Sequence, residues 1–219
     1  MIQVIQNRFQ DTVLDAKSDM GIADPPYKMT PRGRSRTPTI MPHNGGENIF
    51  KGKLPVTSEW MKYYYENLKD DAHFYVFTNT KSIGGYLIES EKAGFKLHNI
   101  ISMIKNTKMP NRWYIKHVEL ILFFRKGKAV PINDMTSKDY INVTMVESRY
   151  GNKFHPTQKP DSIMEYLILN SSKKGGTILD IFAGSGTTGV VAKRNERSAI
   201  LIEKEKEFVD VIHKRLAIG

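Results

Sequence analysis

The chain contains no cysteine in its 219 residues. Disulfide bonds, thiolate zinc sites and a cysteine nucleophile are therefore excluded. The sequence also lacks any apolar run of the roughly 18 residues that a membrane-spanning helix needs. Its first residues do not show the basic and then apolar pattern of a signal peptide, so we expect a cytoplasmic protein.

Acidic side chains are few relative to basic ones, and the formal net charge is +10. Each lysine or arginine placed on a phosphate releases condensed counterions, so nucleic acid is the first partner to consider. A basic protein that merely stays soluble through its charge is the alternative on composition alone. The hydrophobic content of 40% permits a substantial core, and we expect one domain spanning residues 1–219.

Short apolar runs alternate with amphipathic stretches along the chain. Nearly continuous apolar runs are typical of parallel strands covered on both faces, and apolar spacings of three and four are typical of helices. The alternation predicts an α/β fold with a mainly parallel sheet and helices on both faces. The predicted strands are residues 20–23, 73–78, 99–104, 118–124, 177–181 and 198–202, and the predicted helices are residues 57–68, 82–93, 161–170, 187–194 and 205–216.

Two stretches interrupt this alternation, residues 28–56 and residues 127–154. Loops of this length are usually functional or disordered, so we expect two insertions that lie outside the sheet and are candidates for DNA recognition. The first is rich in proline, glycine and basic side chains, and Arg32, Arg34 and Arg36 are candidates for phosphate contacts. A merely solvated basic loop is the alternative.

The most specific local signal is a strand that leads through a glycine turn into a helix, between Thr177 and Gly189. Gly184 and Gly186 permit a ligand to approach the backbone, and the helix that begins near Thr187 directs amide groups into the same space. A small ligand is expected there, and a tight turn without a ligand is the alternative. The candidate binding residues of this segment are Asp180, Phe182, Ala183, Gly184, Ser185, Gly186 and Thr187.

Gly184, Gly186 and Gly189 also satisfy the G-x-G-x-x-G fingerprint, so a nicotinamide-dependent dehydrogenase is a rival hypothesis. Only about one further strand and helix fit after the turn, whereas a dinucleotide fold starting there needs several. The remaining strands must therefore precede the turn. Glu203 directly follows the next predicted strand, where a carboxylate can accept hydrogen bonds from a ribose diol.

A second signal, Asp24-Pro25-Pro26-Tyr27, follows the first strong apolar strand. The two prolines fix the backbone and remove two donors, so the segment presents carbonyl acceptors rigidly. Asp24 and the Pro25 carbonyl can accept both hydrogens of an exocyclic amine while Tyr27 stacks on a flipped base. These four are the candidate catalytic residues, and a strand-ending turn without chemistry is the alternative.

Asp24 to Tyr27 resembles motif IV of the amino-methylating DNA methyltransferases, and FAGSGTTG after Asp180 resembles their motif I, which binds S-adenosylmethionine. The segment HPTQKP resembles their motif X, which contributes to the methionine end of the cofactor site. This likeness implies cofactor contacts for Thr157 and Lys159, the latter near the cofactor's carboxylate. For Lys159, an ordinary cation flanking a helix start is the alternative.

The motif order IV, X, I is that of the permuted β group, and the resemblance spans nearly the whole chain. It implies a Rossmann-like, circularly permuted S-adenosylmethionine-dependent methyltransferase that acts on double-stranded DNA. In weaker matches, the strand with Glu119 is similar to the one before the family's recognition region. Asn7 stands where the family often has an aspartate that contacts the cofactor adenine, a departure from the pattern.

The resemblance implies direct in-line methyl transfer to an amino nitrogen, without a covalent enzyme intermediate. Methylation at cytosine C5 needs a thiolate, so the absence of cysteine excludes it. Adenine N6 and cytosine N4 remain, and an aspartate at the start of motif IV is similar to the adenine enzymes. No cluster has metal-ligand spacing, so we expect a metal-free transfer.

Three alternatives from outside this function stay open, and each makes a distinct prediction. A dehydrogenase binds a nicotinamide cofactor, and a non-catalytic nucleic-acid-binding module transfers no methyl group. An enzyme of the same chemistry acts instead on RNA or on a protein amide. The sequence also allows a homodimer, and it does not reveal a recognition sequence or a biological role in restriction and modification.

Overall fold

The structure, a computed structural model, describes residues 1–26, 54–105, 114–115, 117–143 and 158–218. Several residues singled out above lie outside these ranges. They are Tyr27, Arg32, Arg34, Arg36 and Thr157.

Within the described residues, eight strands form one sheet. Its order is β1-β8-β7-β2-β3-β5-β4-β6, and neighbours are parallel except on both sides of β5, which is antiparallel to β3 and β4. The prediction of a mainly parallel sheet is confirmed. The strands are β1 (Ile2–Gln6), β2 (Ser18–Ala23), β3 (Leu68–Thr78), β4 (Lys96–Lys105), β5 (Val118–Arg125), β6 (Tyr140–Val143), β7 (Thr177–Asp180) and β8 (Ser198–Glu203).

Helices cover both faces of the sheet, as predicted. A short 3-10 turn, Phe9–Asp11, follows β1, and α1 and α2 pack on the same face as this turn. The opposite face is covered by α3, α4 and α5. In the described part of the chain, each helix is too short or too polar to cross a bilayer. The helices are α1 (Thr57–Asn67), α2 (Ile83–Ala93), α3 (Asp161–Ser171), α4 (Thr187–Arg194) and α5 (Lys206–Ile218).

The central strand β3 shows why the sheet needs a layer of helices on each side. Phe74 and Val76 belong to the core beneath α1 and α2, whereas Tyr75 and Phe77 belong to the core beneath α3, α4 and α5. Successive side chains of a strand point to opposite faces, so a continuous apolar run requires cover on both. Full burial of each such side chain stabilises the fold by about 1.5–3 kcal/mol.

Two strands were not predicted, and both lie at edges of the sheet. β1 is only half-buried and pairs with β8, and β6 pairs in parallel with β4. The expectation that residues 127–154 lie outside the sheet is therefore wrong for β6. Asn133 also holds this stretch against the end of α3, donating to the carbonyl oxygens of Leu169 and Ser172. β6 is held by its pairing with a distant strand, and its four residues are too few to show a periodic apolar pattern.

The chain connections diverge at one place in the sheet. From β7 the chain passes through α4 to β8 on one side, and from β2 it passes through α1 to β3 on the other. Open α/β sheets bind ligands in the crevice at the carboxyl ends of strands that flank such a switch point. Met20 pairs with Ile178 and Gly21 with Leu179, so β2 and β7 end side by side. Asp24 therefore lies at the same edge as the glycine turn.

Candidate active site

Asp24 directly follows β2, and a buried tyrosine ties this strand to the glycine turn. The Tyr64 hydroxyl, from α1, donates to the Ile22 carbonyl and accepts from the Ile181 amide, 3.1 Å away. Burial raises the pKa of Tyr64 well above its ordinary value, so the hydroxyl stays protonated and able to donate. Pro25 is buried, so its carbonyl group is held in place. Asp24 is partly exposed, so its carboxylate is accessible at this edge of the sheet. Sequence reasoning did not find Tyr64.

Each of the three positions of the turn is a glycine for a different structural reason. Gly184 and Gly186 have φ angles of +50° and +75°, in the left-handed region that side chains disfavour. A Cβ on Gly186 would lie 2.8 Å from Ile212, and one on Gly189 would lie 2.5 Å from Leu201. A Cβ on Gly184 would meet no described atom nearer than a carbonyl oxygen at 3.9 Å. Gly186 and Gly189 therefore permit packing, whereas no described side chain packs against the Cβ position of Gly184.

Asp180 lies beneath the turn and shapes it. One carboxylate oxygen accepts from the Phe182 amide at 3.0 Å, and the other accepts from the Thr188 hydroxyl at 2.6 Å. Burial raises the pKa of Asp180 to about 7, and the negative charges of Asp24 and Glu203 add to this effect. The predicted cofactor contact of Asp180 stays a prediction beside this role in the turn.

The raised pKa of Asp180 predicts a pH-dependent stability. The folded pKa of about 7 exceeds the ordinary value of 3.8, so the folded state binds the proton more tightly than the unfolded state. This stabilisation is complete below the unfolded pKa and is lost as the pH rises through the folded pKa, at up to about 1.4 kcal/mol per pH unit. Between pH 5 and pH 7, the wild-type protein should therefore lose stability relative to Asp180→Asn in urea unfolding. A constant difference would contradict the assignment.

Glu203 is the last residue of β8, and its side chain contacts the glycine turn. Its carboxylate accepts from the Gly184 amide at 2.9 Å and from the Glu205 amide at 2.9 Å. Burial raises the pKa of Glu203 above its ordinary value. The backbone amide of Asn7 donates to the Glu203 carbonyl at 3.1 Å, so the position where the family often has an aspartate lies beside Glu203. The contact of Glu203 with the ribose stays a prediction.

Arg215 supports the turn from behind, and no local pattern in the sequence indicated it. Its guanidinium donates to the Ser185 carbonyl at 2.8 Å and to the Thr187 hydroxyl at 3.0 Å. It also pairs with Asp161 at the start of α3, 3.6 Å away. The turn is therefore braced by α5 and α3 together. Ser185 and Thr187 direct these polar atoms to Arg215, and their predicted cofactor contacts are not tested by this arrangement.

The predicted site residues Phe182 and Ala183 hold the turn against the sheet. The Ala183 amide donates to the Ile202 carbonyl at 3.3 Å. The Phe182 ring packs edge-on against Phe9 and Trp60, with ring centroids 6.0 and 5.8 Å away. Phe9 and Trp60 were not predicted, because they come from a 3-10 turn and a helix that are distant in the sequence.

Lys159 joins the motif X segment to the acidic tetrapeptide. Its ammonium lies 3.1 Å from Asp24 Oδ1 and 3.7 Å from Glu119 Oε2, and its side chain is 7% exposed. The ammonium also lies over the Phe77 ring, 5.1 Å from the centroid. The contact that the structure provides is thus with Asp24, and the expected contact with the cofactor's carboxylate stays a prediction.

The fold and the site together define a Rossmann-like methyltransferase of the S-adenosylmethionine-dependent class. The family model described as DNA methylase, which joins N6 and N4 enzymes, matches residues 18–214. The chain therefore belongs to the N6/N4 DNA methylases, the amino-methylating DNA methyltransferases, as the motifs implied. This membership contradicts the dehydrogenase hypothesis, and S-adenosylmethionine is the cofactor of the class.

Relatives and solved structures agree with this membership. The chain is 31% identical to the Type II methyltransferase M2.DpnII of Streptococcus pneumoniae, covering 95% of this chain and 86% of that protein. It is 34% identical to M2.LlaDCHI of Lactococcus lactis subsp. cremoris, covering 92% and 82%. The crystal structure of the M1.HpyAVI–SAM complex is similar, with 28% identity, a TM-score of 0.75 and coverage of 99% and 100%. The cytosine-N4-specific PvuII methyltransferase, at 19% identity and a TM-score of 0.69 over 98% and 86% of the two chains, shares the fold.

Proposed function

We propose that the protein methylates the N6 amine of adenine in double-stranded DNA after base flipping. The observation that carries this proposal is the parallel pairing of β2 with β7, which brings Asp24 and the glycine turn together at the switch point. The family supplies amino methylation of DNA. The choice of adenine rests on the resemblance of the Asp24 tetrapeptide to motif IV of the adenine enzymes.

The residues at the crevice suit S-adenosylmethionine. No described side chain packs against the Cβ position of Gly184 at the turn, and Glu203 presents a carboxylate beside it. The carboxyl groups of Asp180 and Glu203 favour a cation nearby. When bound, the cofactor supplies a methyl group on a positively charged sulfur. We assign its binding to the turn residues 182–187, to Asp180 and Glu203, and to Thr157. The motif implied a cofactor contact for Lys159 as well, and the Lys159 variant described below tests that role against another.

The chain's own part in the reaction is to orient the target amine. Asp24 and the Pro25 carbonyl accept the two amine hydrogens, which directs the nitrogen lone pair at the methyl carbon. The new N–C bond forms as the C–S bond breaks, and the nitrogen then loses one proton, towards the Asp24 carboxylate. Tyr27 stacks on the flipped base and keeps it in plane.

Incubation with labelled cofactor and mixed-sequence duplex DNA, followed by nucleoside analysis, tests the proposal. Label in N6-methyldeoxyadenosine is the expected result. Label in N4-methyldeoxycytidine would keep the family and overturn the choice of base. Parallel incubations with RNA and with protein test the other substrates, and DNA binding without any transfer would support the non-catalytic module.

The three loop arginines provide a test of DNA binding. We propose that Arg32, Arg34 and Arg36 neutralise phosphates beside the flipped base. Replacing all three with alanine should weaken DNA binding and reduce the slope of log K against log salt by up to about three, since each phosphate contact contributes about 0.9. Binding titrations between about 50 and about 200 mM salt measure this slope. An unchanged slope would show that the loop does not contact the backbone.

A further inference from the structure

A line of alternating charges leads from the sheet to Asp24. The Lys105 ammonium pairs with Glu119, Glu119 pairs with Lys159, and Lys159 pairs with Asp24. These residues come from β4, β5, the segment before α3, and the end of β2. Burial alone raises the pKa of Glu119, but the two lysines outweigh it and lower that pKa below its ordinary value. The carboxyl group of Glu119 therefore stays ionised, and its negative charge holds the Lys159 ammonium in place.

Lys159 is more enclosed than its charge would allow without specific partners. Its side chain is 7% exposed, against 21% for Asp24 and 33% for Glu119. Moving an ammonium group out of water costs roughly several kcal/mol of desolvation free energy, unless nearby opposite charges offset this cost. Glu119 lies in β5 and Asp24 directly follows β2, so the sheet holds both flanking carboxylates. The ammonium thus has a position determined by the fold before any ligand arrives.

The position matters because Asp24 interacts with a second carboxyl group. Burial is the main cause of the raised pKa of Asp180, and the negative charge of Asp24 adds to it. The Lys159 ammonium, 3.1 Å from Asp24 Oδ1, stabilises negative charge on Asp24 against this interaction. An ionised carboxylate accepts hydrogen bonds only, which is the form that an amine donor requires.

We propose that Lys159, anchored by Glu119, is a positioning residue that orients the Asp24 carboxylate and stabilises its charge for methyl transfer. This inference rests on the proposed function, in which Asp24 accepts a hydrogen of the target amine. It differs from the cofactor contact that the motif implied. A cofactor contact acts on binding of S-adenosylmethionine, whereas a positioning contact acts on the transfer step.

Lys159→Met separates these roles, and Lys126→Met is its matched control. Lys126 is an equally buried lysine whose ammonium donates to the carbonyls of Tyr65 and Leu68, 2.8 Å away, at the end of α1. Both variants replace a buried ammonium with a side chain of similar length. Calorimetric titration gives the Kd for S-adenosylmethionine, and a single turnover at saturating cofactor and DNA gives the transfer rate per folded protein.

Lys159→Met should lower the single-turnover rate about 100-fold, the scale of a small misplacement at a reacting centre, and change the Kd less than about threefold. Lys126→Met should lower the thermal midpoint but leave both the rate and the Kd within about twofold, because a stability change does not alter the folded site. Glu119→Gln retains the shape of the anchor and most of the fold. It should lower the rate about tenfold, again without a matching change in Kd.

The outcomes are distinguishable. A Kd raised tenfold with the transfer rate retained would assign Lys159 to the cofactor and overturn the inference. An unchanged rate in both Lys159→Met and Glu119→Gln, or an equal loss in Lys126→Met, would overturn it as well. If Lys159→Met does not fold, Glu119→Gln decides alone. A wild-type protein that transfers no methyl group to DNA would instead overturn the proposed function and, with it, this inference.

Discussion

Asp24→Ala is expected to lower methyl transfer to DNA by about 100- to 1000-fold, the usual cost of removing one preorganised hydrogen-bonding group that acts on the reacting atoms. The variant loses the carboxylate that accepts the amine hydrogen. The Pro25 carbonyl remains, so some orientation of the amine survives. Binding of S-adenosylmethionine should change little, because the glycine turn and Glu203 are untouched. The measurement is a single-turnover assay with labelled cofactor, beside a calorimetric Kd.

Asp19 provides a matched control on the same strand. It lies at the opposite end of β2, where it accepts from the Thr177 amide at 2.8 Å and pairs with Lys69 at 2.6 Å. Asp19→Ala should therefore reduce stability but leave the transfer rate per folded protein unchanged. An Asp24→Ala protein that methylates as well as its parent would reject the catalytic assignment. Equal losses in the two variants would indicate damage to β2 instead.

Gly184→Ala and Gly186→Ala should fail in different ways. Both glycines have positive φ angles, so an alanine at either costs about 1–2 kcal/mol of backbone strain. At Gly186 the new Cβ also meets Ile212 at 2.8 Å, and such overpacking adds about 1–3 kcal/mol. At Gly184 the new Cβ meets no described atom nearer than 3.9 Å, on the side of the turn where we place the cofactor. The first variant should mainly lose affinity, and the second should mainly lose stability.

Thermal unfolding with and without S-adenosylmethionine separates the two effects. Gly184→Ala should fold with a modest loss of stability, but its Kd for the cofactor should rise on the order of tenfold, equivalent to about 1.4 kcal/mol. Its thermal midpoint should accordingly respond less to added cofactor. Gly186→Ala should unfold at a lower temperature even without the cofactor. If Gly184→Ala binds the cofactor as tightly as its parent, the Gly184 side of the turn is not the binding site.

Several carboxyl groups interact around the glycine turn. Asp24, Asp180 and Glu203 are carboxyl side chains that interact electrostatically. Burial raises the pKa of Asp180 and of Glu203, and the charges of Asp24 and Glu203 add to the effect at Asp180. Such a cluster is unfavourable in the absence of a cation. The fold sustains it by packing Asp180 beneath the turn and by setting Lys159 against Asp24.

Much of the fold and site could be predicted because the sequence carries local signals for them. The long apolar runs predicted β2, β3, β5, β7 and β8, and the strand-turn-helix pattern around Gly184 predicted the ligand turn. The edge strands β1 and β6 escaped prediction, because a half-buried or very short strand is specified mostly by its partner. The spacing of the two motifs could not show that they are neighbours in the fold, since 160 positions separate Asp24 from Gly184.

The amino-acid sequence by itself determined the chemistry available to this protein: no thiolate, a rigid acidic tetrapeptide, a glycine turn and an excess of positive charge. Only the tertiary structure decided how these meet. The pairing of β2 with β7 placed Asp24 at the turn, Tyr64 joined the two strands, Arg215 braced the turn, and Lys159 came to lie against Asp24. Each contact joins residues far apart in the chain, and such contacts depend on sheet order and packing, which no local periodicity encodes.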